Sequence, residues 1–324
     1  MKETYQGVQG FDITTAGHLP HPEQAFYITN ILNKRRPERE WIGLEIYPMV
    51  ERTILPNRAV GLVNGILDRF GLGVLPQGVT VEELNAWKKE YPNTNISRVH
   101  LPFSANVHEL LQRPILGELE NGPMYMAYAA MWVIFMGAAT NGQGIEIAKE
   151  FDAGINAHTN VLEYFGKKGQ LSEIKKGVPL LLAENERDFR SPVLPDRMAI
   201  TDPATIVSKI VQKYPEVDGL LLGLNHDFPP DEDLATFLDD AELVENIFAM
   251  HISHPAKGGK STHDVVYAGD PRFAPFLRKA SQTFFSHPVR LALDYNPLVM
   301  QKMTIDEQVD HYRDTISWLE KTQG

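Results

Sequence analysis

The 324-residue chain contains no cysteine. Disulfides are therefore excluded, as is any zinc or iron–sulfur centre built on thiolates, so a metal bound here must sit on nitrogen and oxygen. Positive charge is in deficit. Lys and Arg number 31 against 42 Asp and Glu, a formal net charge of −11, which argues against broad binding to nucleic acid. The basic clump Lys34-Arg35-Arg36 is diluted at once by Glu38 and Glu40 and reads as a solvated helix end. A dinucleotide fingerprint is missing too: no apolar run leads into G-x-G-x-x-G, and Gly71-Leu72-Gly73 follows an expected helix, not a strand. The first residues lack the apolar core of a secretion signal, so a cytoplasmic location is expected. The longest uncharged apolar stretch, residues 123–139, is short for a membrane span and holds Tyr125 and Tyr128. It reads as a buried outer helix or as the interface of a homo-oligomer.

What is present is an alternation of short apolar runs with amphipathic stretches, the rhythm of β–α units and a parallel sheet. The runs are rich in Val, Ile and Leu and alternate little, as strands covered on both faces do. Eight are expected, at residues 8–13, 41–47, 97–103, 154–158, 179–184, 219–227, 247–251 and 289–294. Helices are expected at 23–33, 57–70, 81–91, 203–214 and 304–322. Thr80 with Glu83, and Thr304 with Glu307, have the spacing of capping boxes, while Asp202 before Pro203 reads as an N-cap with proline at the first helical position. No repeat or linker divides the chain. The expectation is one (β/α)₈ TIM-barrel domain over residues 1–324, with long loops after the fifth strand (187–198) and the seventh (255–273).

The chemistry lies in how these runs end. The second closes on Leu44-Glu45, the third on Val99-His100 and the fourth on Ala157-His158. The fifth closes on Ala183-Glu184, the sixth on His226-Asp227, the seventh on Met250-His251 and the eighth on Leu293-Asp294. In a barrel all these ends converge on the face where active sites are built. Any one alone is an ordinary rim residue or a helix cap. Seven together would bring several carboxylates within reach of one another, and unpaired they would repel. A divalent cation resolves the repulsion, and mixed imidazole and carboxylate donors suit Zn, Mn, Fe or Co, as one or two ions.

This pattern resembles the xylose-isomerase-like TIM-barrel superfamily, which includes sugar (phosphate) isomerases and epimerases and the endonuclease IV type of nuclease. The resemblance rests on Val99-His100-Leu101-Pro102-Phe103, Leu182-Ala183-Glu184-Asn185, Gly223-Leu224-Asn225-His226-Asp227, Met250-His251-Ile252-Ser253-His254 and Leu291-Ala292-Leu293-Asp294. It implies Glu184, Asp227, His251 and Asp294 as ligands of the principal metal, with Glu184 and Asp294 as the catalytic acid–base pair. His100, His158, Glu45, His254 and His263 form a second tier, touching a further metal or the substrate. Three departures stand out. Asp294 replaces the family's usual Glu, Pro230 stands where a His often follows the strand-six Asp, and Ser261-Thr262-His263-Asp264 keeps a His without the preceding Asp. A nuclease-type third metal site, for which His226, His254 and His263 are the remaining donors, is not expected.

The resemblance implies an isomerase or epimerase acting on a small polyhydroxy carbonyl compound. The metal would hold the carbonyl and the adjacent hydroxyl and stabilise the enediolate left when a proton leaves carbon. The alternatives are an endonuclease IV-like metal-dependent hydrolase of a phosphodiester or other ester, and a non-catalytic barrel that binds a metal or sugar. The expected partner is a small molecule, not nucleic acid and not a membrane.

Overall fold

The structure, a computed structural model, describes residues 4–18, 21–48, 79–101, 140–184, 203–224, 233–254 and 263–323. All eight expected runs form strands within these: β1 (Val8–Thr14), β2 (Gly43–Ile46), β3 (Asn95–His100), β4 (Gly154–His158), β5 (Leu181–Glu184), β6 (Gly219–Gly223), β7 (Ile247–Ile252) and β8 (Val289–Leu293). They hydrogen-bond in chain order, every neighbouring pair parallel, and β8 returns to β1 to close the barrel. A two-residue antiparallel ladder, Tyr5–Gln6 with Phe284–Phe285, precedes β1 and β8. The expected helix at 57–70, the apolar stretch 123–139, Asp202 and the loop 187–198 lie outside the described residues.

Strand periodicity sorts the side chains into two cores. Ile13, Leu44, Val99, Ile155, Ala183, Leu222, Met250 and Leu293 belong to the large core between sheet and helices. Leu182, Leu221 and Ala249, on the alternate phase of β5, β6 and β7, form a separate small cluster, the apolar part of the barrel interior. On β1, β2, β3 and β8 the corresponding interior is charged. Arg98 reaches Asp12 at 2.8 Å and Glu45 at 2.9 Å, and Arg290 donates to both oxygens of Asp12 at 2.8–3.1 Å. Gly43, beside Asp12 in register, is required by this arrangement, because a Cβ there would stand 2.2 Å from Asp12 Oδ1.

The expected helices form where described. Residues Glu23–Asn33 match the expectation residue for residue, and Val81–Glu90 starts from the expected box, in which Thr80 and Glu83 satisfy each other's backbone donors. Thr304 and Glu307 make the same reciprocal bonds at the head of Ile305–Gln323. The segment after Asp202 begins helical over Pro203–Ile206 but continues as a π-turn over Val207–Val211.

The last helix docks on the short 3₁₀ turn Thr15–His18 that follows β1. There buried His18 Nε2 lies 3.1 Å from the Tyr312 hydroxyl, and Tyr312 stacks on Tyr295. Burial lowers the His18 imidazole to a pKa of about 4. The folded chain thus holds the His18 proton less tightly than the unfolded chain, and stability falls as pH drops from about 6.5 towards about 4, by at most about 3 kcal/mol. Urea unfolding at about pH 7.5 and about pH 5 should show this loss in the native chain and a visibly flatter dependence in His18→Phe. Equal slopes would exclude His18 as its source.

Candidate metal centre

Glu184 stands at the middle of the barrel mouth. It ends β5, and its neighbour across the ladder is His158, which ends β4. One Glu184 oxygen meets His100 Nε2, and the other lies 3.1 Å from His251 Nδ1. The far nitrogen of His251, Nε2, lies 2.8 Å from Glu45 Oε1. Asp294, the first residue after β8, brings Oδ2 to 3.7 Å from His251 Nδ1 and 3.2 Å from His263 Nε2, while its Oδ1 accepts from the Thr14 hydroxyl at 2.9 Å. His100, His158, Glu184, His251 and Asp294 are all buried, as is Glu45.

Six of the seven expected strand-end groups therefore meet in one constellation. Asp227, and His226 beside it, lie outside the described residues. His263 joins the constellation through Asp294. His254 sits away from the central contacts, in a bridge with Asp264 and 3.6 Å from Asp270 Oδ2. Three participants escaped the sequence reading. Tyr47 stacks on the His100 ring at 4.3 Å between centroids, and Asp12 and Arg98 underpin Glu45. Arg98 had a legible signal: it lies two residues before His100 on β3, hence on the same inward face.

Electrostatics separates the three histidines. Burial alone would strip the proton from each. For His251 that effect is outweighed by Glu45 and Glu184, which raise its pKa well above the ordinary value. Glu184 does the same, less strongly, for His100. At His158 burial, reinforced by the neighbouring His100 and His251, outweighs the pull of Glu184 and lowers its pKa to about 3, which favours the neutral imidazole. The carboxylates mirror this. Burial pushes Glu184 and Asp294 up, but the histidines beside them hold both below their ordinary range, and Glu45 is kept low by His251 and Arg98.

The donor set fits a divalent cation. Two overlapping groups, Glu45–His100–His251 and His100–His158–Glu184, each offer ligand atoms within 4.8 Å of one another. Four buried carboxylates (Asp12, Glu45, Glu184, Asp294) stand in this region against two guanidiniums, buried Arg98 and half-buried Arg290, which pair with Asp12 and Glu45. Two negative charges are left to balance. The carboxylates draw protons towards His100 and His251, whose pKa values they raise; a doubly charged cation would balance the same charge with both rings neutral, the form in which imidazole ligates metal.

These features define a parallel eight-stranded barrel with an oxygen- and nitrogen-donor cluster at the C-terminal ends of its strands. No family model matches the chain, and no curated protein matches it. Among solved structures it is similar over its whole length to a xylose isomerase domain containing protein from Salmonella typhimurium, at 10% identity, with 98% of this chain and 99% of that one aligned and a TM-score of 0.56. It also aligns with a D-allulose 3-epimerase from Methylomonas sp. (8% identity, 98% and 99% covered, TM-score 0.49) and a D-tagatose 3-epimerase-like protein (14% identity, 97% and 98% covered, TM-score 0.48). The chain thus has the TIM-barrel fold expected from its alternating strands and helices, and shares that fold with the xylose isomerase domain containing protein. Among the described residues no helix is long and apolar enough to cross a membrane.

Proposed function

We propose that this protein is a metal-dependent isomerase or epimerase acting on a small polyhydroxy carbonyl compound. The observation that carries the proposal is the convergence of Glu184, His251 and Asp294, from three different strands, on one buried point. With Asp227 these residues would hold the ion. Bound there, a divalent cation would polarise a carbonyl and its neighbouring hydroxyl as a Lewis acid.

The chain's own groups suit proton transfer at carbon. Glu184 is held ionised by His100 and His251 and so stands in its base form, ready to take a proton from a carbon set against it. Glu184, once protonated, can return that proton to the neighbouring carbon, while Asp294, oriented by Thr14 and His263, offers a second carboxylate base on the other side of the site. Asp294 is one methylene shorter than Glu, and at 3.7 Å it stands farther from His251 Nδ1 than Glu184 does at 3.1 Å. Neutral His158 can donate to or accept from a substrate hydroxyl, while the stacked pair Tyr47–His100 forms a flat wall beside it.

A second reading is a hydrolase using two ions, favoured by the group His100–His158–Glu184 beside the first site. One experiment addresses both readings. The protein is loaded with Co²⁺ or Mn²⁺ and its ions per chain are counted, then it is incubated in D₂O with a panel of ketoses and aldoses. One tight ion per chain, with deuterium appearing on the carbon next to the carbonyl, is the expected result. A metal-loaded protein that exchanges no carbon-bound proton anywhere in the panel would sink the isomerase reading. Two ions with phosphodiester cleavage that disappears in Glu184→Ala would put the hydrolase in its place.

A further inference from the structure

Glu45 admits two roles. It shares a potential ligand group with His100 and His251, yet both its oxygens are already engaged by donors. Oε2 accepts from Arg98 Nε at 3.1 Å and Nη2 at 2.9 Å, and Oε1 lies 2.8 Å from His251 Nε2. A cation drawn onto Glu45 would sit beside the buried guanidinium of Arg98, where like charges repel with little solvent to screen them. The His251 ring therefore bridges two environments. Its Nε2 faces the interior, towards Glu45, and its Nδ1 faces the mouth, 3.1 Å from Glu184 and 3.7 Å from Asp294.

The supports of Glu45 are fixed by the sheet. Glu45 and Arg98 are direct partners across the β2–β3 ladder. Arg98 is itself pinned by Asp12 at 2.8 Å, and Asp12 is clamped by Arg290 from β8. A chain of alternating charges thus runs from β8 through β1 and β3 to β2, and ends on one nitrogen of one imidazole.

We propose that Glu45 is a positioning residue which, held by Arg98, fixes the His251 proton on Nε2 and so dedicates Nδ1 to the metal. This rests on the metal reading above and adds the atom, the tautomer and the group that sets them. An outer carboxylate of this kind orients the ring and makes its other nitrogen a better donor, typically worth 10–100-fold in metal affinity.

The variant that isolates the effect is Glu45→Gln. Arg98 has donors only, so it will take the amide oxygen and leave the NH₂ group facing His251. That NH₂ can only donate. Nε2 must then accept, and the ring proton moves to Nδ1, the atom the metal needs. The full-length chain is titrated with Co²⁺ by visible absorption, and the histidine tautomers are read from two-bond ¹H–¹⁵N correlations with and without Zn²⁺, His251 being assigned through its loss in His251→Asn. The expectation is a 10–100-fold weaker Co²⁺ affinity in Glu45→Gln, and in the native chain a Zn²⁺-bound Nδ1 with the proton on Nε2.

The outcomes separate cleanly. A native chain that binds neither ion removes the metal reading and this inference with it. A native chain that binds, with Glu45→Gln binding equally well, overturns the inference alone. Should Glu45→Gln not fold, the native tautomer still decides: Zn²⁺ on Nε2 of His251, or on a Glu45 oxygen, overturns the proposal.

Discussion

Replacing Glu184 by Gln should lower turnover by about 10²–10⁴-fold, the range expected when a positioned acid–base group is lost, and weaken metal binding with it. The substitution preserves volume and hydrogen-bonding shape in a site that is 3% exposed, so the barrel should survive it. What disappears is the negative charge on which His100 and His251 converge. An amide cannot take a proton from carbon, and it is a far weaker ligand for a hard or borderline cation than a carboxylate. The measurement is kcat and KM on whichever sugar exchanges deuterium, together with Co²⁺ stoichiometry. A drop in kcat with KM little changed fits a base acting in the reaction itself. Full activity in Glu184→Gln would remove Glu184 from the mechanism, whatever the fold resembles.

Glu184 was legible in the sequence for a simple reason. Barrel geometry maps the last residue of each apolar run onto one face, so reading where hydrophobicity stops is enough to list the residues of the mouth. Glu45, His100, His158, Glu184, His251 and Asp294 were found that way, and the structure gathers all six. The exact ends were less legible. The sixth run is apolar through Leu224, yet the strand closes at Gly223, although the Leu224 N–H still donates to the His251 carbonyl at 3.0 Å.

The layer beneath the mouth was missed because it follows a different rule. Asp12, Arg98 and Arg290 lie inside their strands, where a charged residue reads as an interruption of the apolar run. Period-two geometry assigns them an inward direction. Asn156 precedes His158, and Leu182 precedes Glu184, by the same two residues that separate Arg98 from His100. Sequence cannot say which inward charges will meet, since that depends on the stagger between strands. Asp12 lies opposite Gly43 rather than Glu45, and only the missing side chain at 43 lets it reach Arg98. His263 was expected in the second tier, but its meeting with Asp294, at 3.2 Å, depends on tertiary packing that the local sequence does not encode.

Arg98→Met should be the most destabilising single change in the interior, at about 3–5 kcal/mol near neutral pH, the usual cost of removing one partner from a buried ion network. Arg98 is 3% exposed and holds Asp12 and Glu45 together. In the native chain burial drives both carboxylates up, but the guanidiniums, with His251 at Glu45, hold them below their ordinary values. Their contribution to stability is thus present above the unfolded pKa, near 4, and is lost as pH falls through the lowered folded value. Without Arg98 the balance tips towards burial, so protonation relieves the strain, and the deficit of the variant should shrink between about pH 7 and about pH 4.5. Urea unfolding of both proteins at the two pH values measures this; a deficit below about 1 kcal/mol at neutral pH, or one that widens in acid, contradicts it. Adding Glu45→Leu to Arg98→Met should recover part of the loss, since two apolar groups strand no charge between them, while His251 loses its partner and metal affinity stays low. A double variant that is stable but binds metal poorly would mean that the charged interior is kept for the site above it, not for the stability of the barrel.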